Sequence, residues 1–490
     1  MNLDFETCYQ AMLSRDRRFD GWFFTGVTTT GIYCRPVCRV RQPRRENCRF
    51  FAHSAAAEQA GFRPCLRCRP ERAPGLAMTD MSARLAQSAA ALIESGFLDE
   101  APMAALAGRI GVSDRHLRRI FEAHFGVSIR RFVQTRRLLL AKRLLTETRL
   151  PMTELSLAAG FGSQRRFNAL FRQGYGLTPS ALRRTGGSDA GAPLCIELAY
   201  RPPLCWSALL AFLASRAIEG VESIEGECYA RTVAIERRGQ WHHGWVRVSH
   251  VPERHALSVT LPASLYPVVA GVLSRVRRLF DLDCSPELID AHLGELAADR
   301  PGIRVPGAFD GFEMAVRAIA GQQIRVTQAR RLLSRLVEQF GEPVAGAPAG
   351  LSVTFPQASR IAGLAPEALI AVGLLRQRAE AIIALACEIV AQRVSLAPLM
   401  HPAEVLPALR AIRGIGEWTV QYIAMRALAW PDAFPAGDAV LKKRLGLESA
   451  RALEQYSHRW SPWRAYAAIR LWEGEDRPVT TPSHEEVTPS

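Results

Sequence analysis

The chain has 490 residues, too many for one hydrophobic core and enough for three or four domains. Its formal net charge is +15, and all its basic residues but Lys142, Lys442 and Lys443 are arginines, a balance that favours a polyanionic partner. The start, MNLDFETCYQ, lacks the basic-then-apolar pattern of a secretory signal, and no apolar run reaches bilayer-spanning length, so the expected place is the bacterial cytoplasm.

The first predicted element is a metal centre. Cys34 and Cys38 in YCRPVC, with Cys65 and Cys68 in PCLRC, make two short clips in an Arg-rich segment. Zinc takes four soft ligands in a tetrahedron, and two such clips supply them, so one Zn2+ on Cys34, Cys38, Cys65 and Cys68 is expected. The competing arrangement is a pair of disulfides, disfavoured in a reducing compartment. A Pro/Gly-containing break at 70–75 closes this domain, placed at residues 1–76. The other seven cysteines are scattered singly, as reduced thiols would be.

Residues 80–186 contain a repeat. Ser113, Leu117, Ile120 and Phe121 match Ser163, Phe167, Leu170 and Phe171, and Gly126-Val127-Ser128 matches Gly176-Leu177-Thr178. Each copy offers a short apolar helix, a turn, a Ser N-cap and a second helix with apolar residues at i, i+3 and i+4. This is a helix-turn-helix given twice, an all-α domain. Arg115 and Arg118 in one copy, and Gln164, Arg165 and Arg166 in the other, are side chains suited to base edges and phosphates in a major groove. The bland alternative is an αα-hairpin with a solvated basic face.

A Gly-rich linker at 187–193 follows. Residues 194–262 alternate in strand fashion at 194–200, 229–235, 244–249 and 256–261, with a helix near 206–217, and read as a small α/β domain. Residues 263–478 are helical throughout, and 479–490 form a polar tail expected to be disordered. The fold class expected is thus multidomain α+β: a small four-cysteine zinc domain, a double helix-turn-helix, a small α/β domain and an all-α domain.

The densest chemical signal is LRAIRGIGEWTVQYIAMRAL at 409–428, followed by FPAGDAVLKKRLG at 434–446. Gly414 and Gly416 sit between two apolar-periodic helices, where successive backbone N–H groups can face a phosphate. That is the helix-hairpin-helix pattern, a sequence-independent clamp on the DNA backbone. Trp418 and Tyr422 fall on one helix face at i, i+4, which fits either core packing or a π-rich wall for an extruded base. Asp438 opens the next helix as an N-cap, and a carboxylate fixed there can also steady the positive charge of a breaking N-glycosidic bond. Lys442 lies where it can meet a phosphate.

These motifs resemble two families joined in one chain. TTGIYCRPVC, RREN at 44–47 and GFRPCLRC, followed by the paired helix-turn-helices, are similar to the N-terminal half of the Ada adaptive-response family with its AraC-type DNA-binding helices. RPPLCWSALLAFLASRAIEGVE, RPGIRVPGAFDGFE, GIGEWTVQYIAMRA, the Asp438 segment and PWRAYAAIRLW resemble the AlkA type of alkylbase DNA glycosylase, with a TBP-like α/β domain before the hairpin domain. The first resemblance implies that Cys34 is both zinc ligand and methyl acceptor, spent once per molecule. The second implies Asp438 as the catalytic carboxylate and Trp418, Tyr422, Trp472 and Phe212 as walls of the base pocket.

One contrast with the wider hairpin superfamily and two departures from the family's own pattern accompany it. Trp418 stands where lyase-competent hairpin enzymes carry a Schiff-base Lys, implying a monofunctional glycosylase with no cofactor of its own. Gln323 stands where the family places an apolar wedge, and Glu473 where an aromatic is expected.

The expected function is alkylation response with base excision. A zinc sensor accepts methyl from DNA methylphosphotriesters, AraC-type helices bind promoter DNA, and a glycosylase releases alkylated purines of the 3-methyladenine type. Double-stranded DNA, damaged and promoter, is the expected partner, together with RNA polymerase, and a monomer is expected. The rival reading is a transcription activator whose C-terminal half only clamps DNA.

Overall fold

The computed structural model describes residues 5–15, 23–51, 57, 60–65, 67, 68, 70, 78–99, 101–148, 150–183, 193–397 and 402–473. The predicted linker (apart from Pro193), the tail and most of the 70–75 break lie outside the described residues. Two compact units emerge: residues 1–90 with 107–129, and residues 91–106 with 130–490.

In the first unit a small sheet of β1 (Phe24–Val27), β2 (Ile32–Cys34), β3 (Cys48–Phe51) and β4 (Arg63–Pro64) has the order β3-β1-β2-β4. Its apolar interior is slight: Phe24, Tyr33, Ala57 and Phe62 form one cluster, and Cys8, Ala11 and Phe23 another. So small a core needs a staple. β2 pairs in parallel with β4, and that pairing brings the two cysteine clips together.

The predicted repeat has matching local structure in its two copies. Helix Asp114–Phe125 starts at Ser113, whose hydroxyl accepts from the His116 N–H, and helix Gln164–Tyr175 starts at Ser163, which accepts from the Arg166 N–H. Each ends on a left-handed glycine, Gly126 or Gly176. Leu117, Ile120 and Phe121 are buried in the first, Phe167 and Phe171 in the second, so period 3.6 sets the inward face of both.

In the second unit, β5 (Leu194–Ala199), β6 (Glu222–Glu225), β7 (Cys228–Arg237), β8 (Gln240–Val251) and β9 (Ala256–Leu261) form an antiparallel sheet ordered β5-β9-β8-β7-β6. Four strands lie where alternation places them. β6, in VESIEGE, has too little apolar alternation to announce itself. Helix Trp206–Ala214 is nearly apolar all round and is buried through Trp206, Leu209, Phe212 and Leu213. Beyond Val269 the described chain is predominantly helical, and one hydrophobic core joins helices Gly311–Ala320, Val326–Phe340, Arg376–Val390, Glu417–Arg426 and Arg464–Glu473. Among the described residues no helix is long and apolar enough to cross a membrane.

Candidate metal centre and base-excision pocket

Cys34 ends β2, Cys38 follows a short turn, and Cys65 and Cys68 follow β4. The four sulfurs all lie within 4.8 Å of one another. A tetrahedron with zinc–sulfur bonds of about 2.3 Å has edges of roughly 3.8 Å, so the cluster needs little closing to hold the ion. None of the four cysteines is in a disulfide. The thiols cannot all ionise unaided: hydrogen bonds from Cys34 and Cys68 hold Cys38 far below the usual thiol range, while contacts with Cys38 and Cys68 push Cys34 far above it. A divalent cation resolves that competition, and the donor set suits Zn2+. The Arg35 backbone N–H faces the Cys68 sulfur at 3.4 Å.

The second site is a cavity of about 370 Å³ in the C-terminal half. Asp438 is 9 % exposed and stands at the start of helix Ala439–Arg444. Its Oδ1 accepts from the Leu441 N–H at 2.9 Å and from the Trp472 indole N–H at 3.1 Å, and its Oδ2 accepts from the Trp418 indole N–H at 2.9 Å. The carboxylate is therefore at once helix cap and anchored cavity wall. Trp418 and Tyr422 stack face to face, 5.1 Å apart and within 9° of parallel, and Trp472 tilts against Tyr422 at 6.0 Å. Trp418, Tyr422, Trp472 and Asp438 all line the cavity.

Phe212 does not line it. Its ring is buried beneath the Arg216 guanidinium, 3.7 Å above, and the Arg426 guanidinium, at 4.9 Å. Arg216 and Arg426 line the cavity in its place. Arg426 donates to the Tyr422 hydroxyl at 2.7 Å and to the Pro306 and Gly307 carbonyls. Burial alone would raise the Tyr422 pKa, yet Arg426 and Arg216 bring it below the ordinary phenol value.

A buried ion network, missed by the sequence reading, also lines the cavity. Glu313 bonds Arg231 and Arg317, each at 2.6 Å, and Arg317 also bonds Glu222, which accepts from the Tyr229 hydroxyl. Burial opposes ionising Glu313, but Arg231 and Arg317 overcome it and hold its carboxyl down at about 2. One signal was available: Glu313 and Arg317 are an i, i+4 pair on an otherwise apolar helix.

In the hairpin, Gly414 has φ +94°, and a Cβ there would meet the Ala381 Cβ at 3.1 Å. Gly416 has φ −86° and open space around it, and it caps helix Glu417–Arg426. The Gln322 side chain donates to the Gly414 carbonyl and the Thr419 hydroxyl, both at 2.9 Å, fixing the hairpin against the cavity. Gln323 is exposed with φ +53° in the turn before helix Val326–Phe340, beside Ile324 and Val326, which line the cavity. Lys442 is half-buried one turn beyond Asp438. Glu473 is half-buried, and its Oε2 has no hydrogen-bond partner among the described residues. Burial pushes its carboxyl up to about 7 despite Arg300, Arg216 and Arg470 nearby.

On the helix-turn-helices, Arg115, Arg118, Gln164, Arg165 and Arg166 are all exposed. Arg118 is paired with Asp114 at 2.9 Å, and Gln164 accepts from the Thr153 hydroxyl.

A four-cysteine metal module, paired helix-turn-helices and an acid-bearing aromatic cavity behind a helix hairpin define a DNA glycosylase fused to a zinc-dependent DNA-binding regulator. Four family models match in chain order: the metal binding domain of Ada at 7–71, a helix-turn-helix domain at 106–185, the AlkA N-terminal domain at 195–310, and the HhH-GPD superfamily base excision DNA repair protein at 316–457. A probable bifunctional transcriptional activator/DNA repair enzyme AlkA from Mycobacterium tuberculosis is 36% identical over 98% of both chains. The chain belongs to this family of bifunctional transcriptional activator/DNA repair enzymes. DNA-3-methyladenine glycosylase 2 of Escherichia coli is 38% identical over 57% of this chain and 96% of its own. The bifunctional transcriptional activator/DNA repair enzyme Ada of E. coli is 35% identical over 36% of this chain and 49% of its own.

Proposed function

We propose that the C-terminal half hydrolyses the N-glycosidic bond of alkylated purines of the 3-methyladenine type, and that the N-terminal half takes methyl groups from DNA phosphotriesters onto Cys34. The observation that carries the first part is the Asp438 carboxylate, held by two indole N–H groups and a helix start on the wall of an aromatic cavity. A cationic alkylated purine turned out of the duplex would be attracted to the stacked Trp418 and Tyr422 rings. As its bond to the sugar lengthens, positive charge develops on the sugar ring, and the fixed carboxylate stabilises it without reorganising. The alkyl group already supplies the base's positive charge, so the base departs neutral. Water adds hydroxide to the sugar carbon and releases its proton to solvent. With Trp418 in the hairpin and no lysine there, no Schiff base forms and the backbone is left uncut.

At the N-terminal centre, a zinc ion on the four sulfurs would keep them deprotonated at neutral pH. The Cys34 sulfur attacks the methyl carbon of a methylphosphotriester, and the phosphodiester leaves with the electron pair of the broken C–O bond. The thioether formed is a poor leaving group, so the site turns over once. Loss of one thiolate charge moves a four-thiolate zinc centre from about −2 to about −1, which weakens its repulsion from DNA. The helices bearing Arg115, Arg118, Gln164, Arg165 and Arg166 then read promoter DNA, acting as a monomer that contacts RNA polymerase.

Two assays test the two halves. Wild-type protein should release free 3-methyladenine from alkylated DNA, and Asp438→Asn should lose that release while melting within a few degrees of wild type, since Asn still caps the helix. Absence of release by the wild type refutes the enzyme and leaves a DNA clamp. After incubation with DNA carrying methylphosphotriesters, the Cys34 peptide should gain about 14 Da, one methyl replacing one proton. An unmodified Cys34 leaves the zinc purely structural.

A further inference from the structure

The Gly-rich linker read at 187–193 joins a regulator to an enzyme, and the described residues on either side of it pack against each other. Leu138 and Leu145 of helix Ile129–Glu147, with Leu155 and Phe167 of the second helix-turn-helix, are buried in the same continuous core as Ile196 and Val259 of the sheet and Val272 of helix Val269–Leu279. Tyr266 packs on that core from the sheet side, Met152 and Leu170 from the helix-turn-helix side.

Polar contacts close the seam at two places. Arg143, on helix Ile129–Glu147, donates to the backbone carbonyl of Glu197 on β5, one of the two edge strands of the sheet. Arg237, at the end of β7, donates to the Leu157 carbonyl at 3.0 Å and to that of Pro267. Two guanidiniums bound to carbonyls across segments 54 and 80 residues apart in sequence fix an orientation as well as a contact. The recognition side chains Gln164, Arg165 and Arg166 stay exposed in this arrangement. Docking therefore leaves the DNA-reading face open.

We propose that the second helix-turn-helix is a resident part of the repair half, docked on its sheet through an apolar seam closed by Arg143 and Arg237, so that residues 130–183 and 193–473 move as one body. The reading that each half binds DNA is taken from the proposed function, but the docking stands on packing and the two Arg bonds. One body with two duplex-binding faces cannot let them act as independently tethered modules: a duplex held at one face sits at a set distance and angle from the other.

The test separates docking from tethering. A protease site placed within 186–191 of the full-length protein is cut, and the products are run by gel filtration at about 1 µM. Docking predicts that residues 1–185 and the remainder still elute together, which at that concentration means a sub-micromolar dissociation constant. Fragments that separate after cutting overturn the proposal. The Arg143→Glu/Arg237→Glu variant, cut in the same way, should separate at least tenfold more readily and still release 3-methyladenine, because neither residue is in the excision site. Co-elution unchanged by the double variant would also overturn the seam as assigned. Since the wild-type result does not need base release, failure of the glycosylase reading would leave the docking result standing.

Discussion

At the residue scale, the site depends on side chains that serve two masters. Asp438 is a helix cap and an anchored carboxylate, and its place at a helix start lets the sequence suggest the cap directly while the indole partners emerge only in the fold. Glu473 is the opposite case, a buried oxygen with no bonding partner among the described residues. Its carboxyl holds a proton to about pH 7 in the folded chain but loses it above about 4.5 when unfolded. Stability from this group is therefore fully present below pH 4.5 and is lost as pH rises from there to 7. Gln is neutral throughout, so Glu473→Gln should leave the melting temperature unchanged near pH 4 and raise it by a few degrees at pH 8. A thermal melt at both values checks it, and an equal effect at both would show that Glu473 is ionised in the fold.

At the element scale, the two hairpin glycines are not equivalent. Both look alike in GIG, yet only Gly414 occupies the left-handed region and only there does a methyl group meet a neighbour. Gly414→Ala should cost about 1–3 kcal/mol of stability and weaken DNA binding. Gly416→Ala should cost only about 0.5 kcal/mol, through a poorer N-cap. Urea unfolding of the pair measures the difference, and equal losses would mean that backbone strain is not the cause. Local signals carried this level well: Ser113, Ser163, Gly126 and Gly176 mark helix ends by chemistry acting within a few residues. What stayed hidden acts across the chain. Nothing local marks Glu222 or Arg231, and only the fold brings Glu313, 82 residues beyond Arg231, and its neighbour Arg317 to pair with them in the interior. The resemblance implied Phe212 as a pocket wall, but the guanidiniums that cover it, and line the cavity instead, come from its own helix end and from a helix some two hundred residues on.

At the scale of the whole molecule, the metal module and the repair half rest on different forces. Around the four cysteines the apolar clusters are small, so the fold there should depend on the ion. The repair half has an extensive core of its own. A strong zinc chelator should therefore release one zinc per chain, abolish methyl uptake at Cys34 and leave base release unchanged. Zinc assay, peptide mass and glycosylase rate together check this, and loss of base release on chelation would contradict the separation. Helix Ile129–Glu147 has a further consequence for the molecule as a whole, through the bond from Arg143 to β5. A sheet cut free at residue 193 would show solvent the unpaired backbone of its outermost strand, the surface on which a second sheet can add. Residues 193–473 freed of that helix should therefore self-associate more readily than the full-length protein, as gel filtration of the two would show.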